Sequence, residues 1–315
     1  FLCIAYTRVS KKYNGKCSLT FGEYIRFSLP IMCGSLLTAF LSSTNDALIP
    51  ICLRYFGDSA DEALGKFGVF EAIVIPVIFF PSVVLCSMSG IIVSEAARAR
   101  ASDDRKRIKC FTERLKAWTL MFSVFSSAVL MRFGSRIGEI LGGGELAGRM
   151  ITVIAPVVPF IYMEIILEAI IKGLGMQSFS SLNYLFEYVI RIAAVLILIP
   201  RIGFYGVVIS YYASNIIGNC NRFVKVIKET KARTALCGTL ILPVISAFVT
   251  MFAAELPFRI SGLKTDTPVK MLFYGIIWAA AFWAIFVFLE KVKLISECRV
   301  ETFVDNTQQT IKRVL

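Results

Sequence analysis

Residues Phe21 to Leu53 read FGEYIRFSLPIMCGSLLTAFLSSTNDALIPICL. From Phe27 to Pro50 the stretch is one long apolar segment, roughly 36 Å as a helix at about 1.5 Å per residue. That length exceeds a hydrocarbon core of about 30 Å. Yet Asn45 and Asp46 sit inside it, preceded by Ser42, Ser43 and Thr44. A carboxylate within a membrane costs at least about 2.5–3.5 kcal/mol and usually faces a protein interior or a water-filled cavity. The segment is therefore expected to line a polar cavity around which the other helices assemble. Pro50 supports this, because its missing N–H leaves the Asp46 carbonyl without its usual partner one turn on.

Working outward, the composition agrees. Of 315 residues 57% are hydrophobic, and the mean hydropathy is +0.71. Long apolar runs recur, which places the chain among polytopic helical membrane proteins. A membrane barrel would show shorter alternating segments instead. The net charge of +12 does not indicate nucleic acid, because the basic residues lie between apolar runs, as membrane topology places them. The nine cysteines are scattered without a CxxC, and no histidine occurs. This excludes His-based metal sites and His catalysis, and it makes the cysteines small packing residues. The sequence shows no nucleophile–base set, metal cluster or nucleotide motif; neither an enzyme nor a cofactor is expected.

About eight spans are read, near 27–51, 66–93, 116–133, 150–171, 180–199, 203–224, 236–256 and 270–290. Phe1–Tyr6 reads as the tail of a helix that begins upstream, so a fragment of a longer chain is expected. With Thr7–Thr20 placed in the cytoplasm, inner segments hold more than twice as many basic residues as outer ones. Pro76 and Pro81 are expected to bend the second span. The charged stretch Glu95–Lys116 is expected along the inner membrane surface. Gly142–Gly144 lacks the GxxxxGK[ST] of a phosphate loop and reads as a turn.

Ionisable and amide side chains inside spans are the candidate site. Asn45 and Asp46 line a lumen or serve as interhelical glue. Glu71 shares the outer cavity with Asp46 or snorkels to the interface. Glu168 has Lys172 at i,i+4, whereas Glu164 has no local partner. Glu187 and Arg191 are also i,i+4: either a closed structural pair, or an arginine that faces the cavity and holds a phosphate. Asn215 and Asn219 read as interhelical glue.

Several motifs resemble one family. They are SLP at Ser28–Pro30, Asn45–Asp46 followed by LIP at Leu48–Pro50, FFPS at Phe79–Ser82, VSEAARAR from Val93, KGLGMQ from Lys172 and PRIGFYGVVIS from Pro200. In order and spacing they resemble the C-terminal half of the multidrug/oligosaccharidyl-lipid/polysaccharide exporter superfamily. The nearest branch is that of stage V sporulation protein B and the polysaccharide-biosynthesis flippases. The resemblance implies an all-α transporter of fourteen helices, of which these spans match helices seven to fourteen. It divides the chain into the end of a preceding helix and a cytoplasmic loop (1–19), a six-helix lobe (20–230), two additional spans (231–290) and a cytoplasmic tail (291–315). It also implies a missing N-terminal lobe, a multi-pass place in a bacterial cytoplasmic membrane, and alternating-access flipping of a lipid-linked oligosaccharide or peptidoglycan precursor. On that reading Asp46 or Glu164 couples a proton or sodium ion, or merely hydrates the cavity. The rival readings are a cation-coupled multidrug antiporter of the same superfamily and a non-transporting scaffold in cell-envelope synthesis.

Overall fold

The computed structural model describes residues 21–232, 243–250 and 273–287. Nearly all of them are helical, and no strand occurs among the described residues. The elements are α1 (Phe21–Phe56), α2 (Ala60–Ala101), α3 (Arg105–Ile140), α4 (Gly144–Gly173), α5 (Gln177–Ile202) and α6 (Tyr205–Thr230), followed by α7 (243–250) and α8 (Phe273–Val287). Five of these, α1 to α5, are long and apolar enough to cross a membrane, by length and composition. The first five expected spans coincide with them. The sixth falls on α6, while the seventh and eighth fall only partly on α7 and α8. Phe1–Tyr6, the first loop and the tail 291–315 lie outside the described residues.

The inner and outer faces of the helices explain how such apolar segments assemble. On α6 the buried side is polar, with Ser210, Ser214, Asn215, Asn219 and Arg222, whereas Ile209, Ile216, Ile217 and Val224 are exposed. α5 repeats the pattern with Ser180, Asn183 and Glu187 inside and Leu182, Phe186, Val189 and Ile197 outside. In water this arrangement would be inverted; in lipid it is the favourable one, because outward apolar side chains cost nothing there. α4 is the central helix. It packs against α2, α3 and α6 and contributes Ile154, Val158, Ile166, Leu167 and Ile170 to the main core. At the α3–α4 crossing Gly138 meets Gly148 backbone to backbone, an approach that any side chain would block. α8 adds a second, aromatic core, in which Tyr274, Trp278 and Phe282 pack against Phe133 and Phe125 of α3.

The prolines of α2 coincide with breaks in its regular α-helical hydrogen bonding, and side-chain hydroxyls bond carbonyls nearby. α2 contains a π turn at Phe70–Val74 just before Pro76 and a 3-10 turn at Phe80–Ser82 around Pro81. The Tyr162 hydroxyl donates to the Ile78 carbonyl at 2.8 Å, and the Ser82 hydroxyl to that of Phe79 at 2.7 Å. In α4, Pro159 cannot donate to the Ala155 carbonyl, which accepts instead from the Val158 N–H in a 3-10 turn and from the buried Ser127 hydroxyl of α3 at 2.7 Å. A backbone acceptor left bare in this interior would cost more than the bend itself.

One expectation needs correcting. Glu95–Lys116 is not a separate surface helix. Its residues finish α2 and begin α3, joined by a turn at 102–104, and Asp104 caps α3 by accepting the Arg107 N–H at 3.0 Å. Arg107 also reaches across the hairpin to Glu95, with its Nε at 2.8 Å. α2 has 42 residues, about 63 Å of helix, so a hairpin of this length projects well past a hydrocarbon layer of about 30 Å. Charged residues at its tip therefore need no surface helix to reach water.

Candidate functional site

A cavity of about 490 Å³ opens between α1, α2, α4, α5 and α6. Five of the six candidate residues lie on its wall: Asp46 from α1, Glu71 from α2, Glu164 from α4, and Glu187 and Arg191 from α5. Glu168, Lys172, Tyr184, Tyr188, Tyr211 and Asn215 join them, with Ile75, Phe79, Val93, Ile161 and Ile165 as apolar patches. The sixth, Asn45, is buried beside the cavity and does not line it. Its amide donates to Asp46 Oδ1 at 3.1 Å, and its own buried Oδ1 has no hydrogen-bond partner among the described residues.

The end of the cavity nearest the α4–α5 turn, called the inner end, is organised by a residue absent from the sequence-based candidates. Arg222 of α6 is completely buried. It grips Glu187 with both terminal nitrogens, at 3.0 and 2.7 Å, while Nε reaches Glu168 at 3.2 Å and Nη2 reaches Glu164 at 3.3 Å. Its guanidinium lies 4.5 Å from the centroid of the Tyr184 ring. A buried arginine is tolerated only when paired and hydrogen-bonded, and the two-pronged carboxylate contact is the strongest form of such pairing. Glu168 also carries the Lys172 ammonium at 3.5 Å, the expected i,i+4 pair, and it accepts the Ser180 hydroxyl.

This geometry decides between the two readings of Glu187 and Arg191: they do not form a closed i,i+4 pair. Glu187 points to α6 and is taken by Arg222; Arg191 turns to the Ser214 hydroxyl, with Nε at 2.9 Å. The Arg191 guanidinium stacks on Tyr211 at 4.5 Å and Tyr188 at 5.3 Å. It makes no ion pair among the described residues. Glu164, which had no local partner, finds Arg222 across the helix interface. Asn215 and Asn219 donate to carbonyls one turn earlier in α6, at 2.9 and 2.8 Å, so their side-chain N–H groups serve their own helix. The expected interhelical contact comes instead from Asn183, whose amide donates to the Gly218 carbonyl at 3.2 Å.

The outer end is looser. Glu71 sits in the π turn of α2, a local widening that is frequent at functional sites. The turn directs Phe70 inward, edge-on to Tyr211 and Phe204 at 5.5 and 5.7 Å, while its neighbour Glu71 faces the cavity. Carboxylates outnumber cations on the wall: Asp46, Glu71, Glu164, Glu168 and Glu187 against Lys172 and Arg191, with Arg222 behind them. No cluster of His, Cys, Asp and Glu suited to a metal ion occurs among the described residues.

Nothing local in the sequence sets Arg222 apart, because Lys225 and Lys228 follow it and the three fit a basic loop. The pattern that marks it is Ser214, Gly218 and Arg222, spaced four apart on the face opposite Ile216, Ile217 and Val224. No family model, curated protein or solved structure matches the chain.

Proposed function

We propose that the chain forms a lobe of a membrane transporter that moves an amphiphile with a polar, anionic head, a lipid-linked oligosaccharide or peptidoglycan precursor, by alternating access. The observation that carries this reading is the cavity itself. Inside helices whose outer faces are apolar, ionisable groups from four of them converge on one space of about 490 Å³, a volume within the usual range for small-molecule sites. Intramembrane ionisable groups gathered on a cavity mark substrate or ion pathways more often than packing. Arg191 is the cavity cation that no carboxylate neutralises among the described residues, and its stacked, hydrogen-bonded posture presents it to a phosphate. Carboxylates nearby accept sugar hydroxyls. The resemblance in motifs adds the expectation of eight spans here, a second lobe, and a bacterial cytoplasmic membrane. A cation-exporting antiporter is the second reading, and the excess of carboxylates on the wall favours it.

The test places Asp46→Asn in the gene at its own locus. Vesicles from those cells are assayed for flipping of a fluorescent polyprenyl-linked oligosaccharide and for export of a cationic dye. Normal abundance with lost flipping is expected. Loss of dye export alone would select the antiporter, and unchanged movement of both would remove Asp46 from the pathway and overturn the transport reading.

A further inference from the structure

We infer that Arg222 is a built-in cation: it fills, from within the chain, the place among Glu164, Glu168 and Glu187 that an ion from solution would otherwise occupy. Three carboxylates from two helices converge on one point, which alone is a repulsive arrangement. At that point lies a fully buried guanidinium, bonded to Glu187 by two parallel contacts and to Glu168 by a third, with Glu164 at 3.3 Å. An alkali ion needs several oxygen ligands at once; here those oxygens already accept N–H donors. Arginine does not lose its proton in proteins, so this cation cannot leave by deprotonation.

The surrounding chain is shaped to hold a guanidinium rather than a point charge. Tyr184 covers its flat face at 4.5 Å, which suits a planar delocalised ion. Gly218, one turn before Arg222, leaves the space into which the Glu187 carboxylate projects; a methyl group there would overlap it. Asn183 fixes the same level of α6 by donating to the Gly218 carbonyl at 3.2 Å. The site thus has a planar cover, a two-pronged acceptor and a cleared approach. Shortening the arginine should leave a pocket selective for small guanidinium compounds.

The inference rests on the transport reading only for its consequence, that the inner carboxylates draw no alkali ion from solution during movement. Its test needs no substrate, so the two fail separately. The purified chain is unfolded thermally in sodium, potassium or choline chloride at equal ionic strength. The wild-type midpoint should not depend on which cation is present. Arg222→Ala should lower it by roughly 10 °C, and millimolar methylguanidinium, but not tetramethylammonium, should restore most of the loss. Where Arg222→Ala does not accumulate, Arg222→Lys replaces it: an ammonium keeps the charge, so this variant should fold and remain indifferent to sodium. Saturable stabilisation of the wild type by sodium, removed by Glu187→Gln, would overturn the proposal. So would an Arg222→Ala chain that methylguanidinium does not restore, or an Arg222→Lys chain that sodium stabilises.

Discussion

The two ends of the cavity hold similar groups in opposite states. At the inner end Glu164, Glu168 and Glu187 are drawn onto Arg222 and Lys172, and the arginine has no exposed surface. At the outer end Asp46 receives one amide contact, from Asn45, and Arg191 has a hydroxyl and two aromatic rings but no carboxylate. A closed network in a low-dielectric interior fixes structure, because each member left alone would carry a large desolvation cost. A half-satisfied group on a cavity wall retains hydrogen-bonding capacity for something else. On the proposed transport reading, the difference gives architecture to the inner end and contact with substrate to the outer end.

The most direct way to break that assignment is Glu187→Gln. It removes the carboxylate that Arg222 holds with two nitrogens and leaves a buried guanidinium short of its main partner. A loss of about 3–5 kcal/mol is expected, the usual cost of opening a buried pair from one side. Adding Arg222→Met should recover none of it, since Glu164 and Glu168 then lose the cation they share. Denaturant unfolding of the purified variants measures both. A loss below about 1 kcal/mol, the scale of an exposed pair, would mean that water reaches the cluster and that the inner end is not closed.

How much of this could be read from the chain follows from the range of each signal. Apolar length is a local property, so α1 to α5 were legible, and Asp46, Glu71, Glu164, Glu187 and Arg191 stood out as ionisable groups within apolar runs. Their gathering as one candidate site was expected, with an interfacial place open for Glu71 and a closed pair open for Glu187 and Arg191. Pairing is a relation between helices, and sequence offers only the i,i+4 neighbour. For Glu187 it offered only Arg191, as one of two readings, whereas the partner Arg222 lies 35 residues away along the chain. Arg222 was hidden for another reason. A charge near a basic loop satisfies the membrane-topology rule, which says nothing of its position on the polar face of α6. The π turn at Phe70 was not legible either: Pro76 foretold a disturbance in α2, not that Glu71 would be turned to the cavity.

Gly218 and Gly68 sharpen the comparison with one chemical change at each end. In α6, alanine at 218 would place a methyl on the Glu187 carboxylate and push it from Arg222. Overpacking of this kind costs about 1–3 kcal/mol. In the outer part of α2, a methyl at Gly68 meets nothing within 4 Å. There alanine should add about 0.5–1 kcal/mol through helix propensity alone. Opposite signs in the two unfolding curves are expected. Equal and small effects would show that the inner end has room to yield and is not tightly built.

The smallest expected effect is that of Arg191→Gln, and it separates the two arginines most finely. The substitution removes stacking on Tyr211 and Tyr188 and the hydrogen bond to Ser214. Together these are worth about 1 kcal/mol at a half-open site. It strands no carboxylate, because Glu187 keeps Arg222. A double-mutant cycle between positions 187 and 191 should therefore give a coupling under about 1 kcal/mol, whereas the cycle between 187 and 222 should reach about 2–3 kcal/mol, the upper range for residues in one network. The order of the two couplings matters more than either value. If the 187–191 coupling were the larger, Glu187 would belong to its neighbour on α5, the inner network would lose its anchor, and Arg191 would join the scaffold instead of meeting the substrate. If it is the smaller, Arg191 is free to act: the same variant should fold, insert and fail to move a phosphate-bearing amphiphile, and Arg191→Lys should recover part of that movement by restoring the charge without the planar fork.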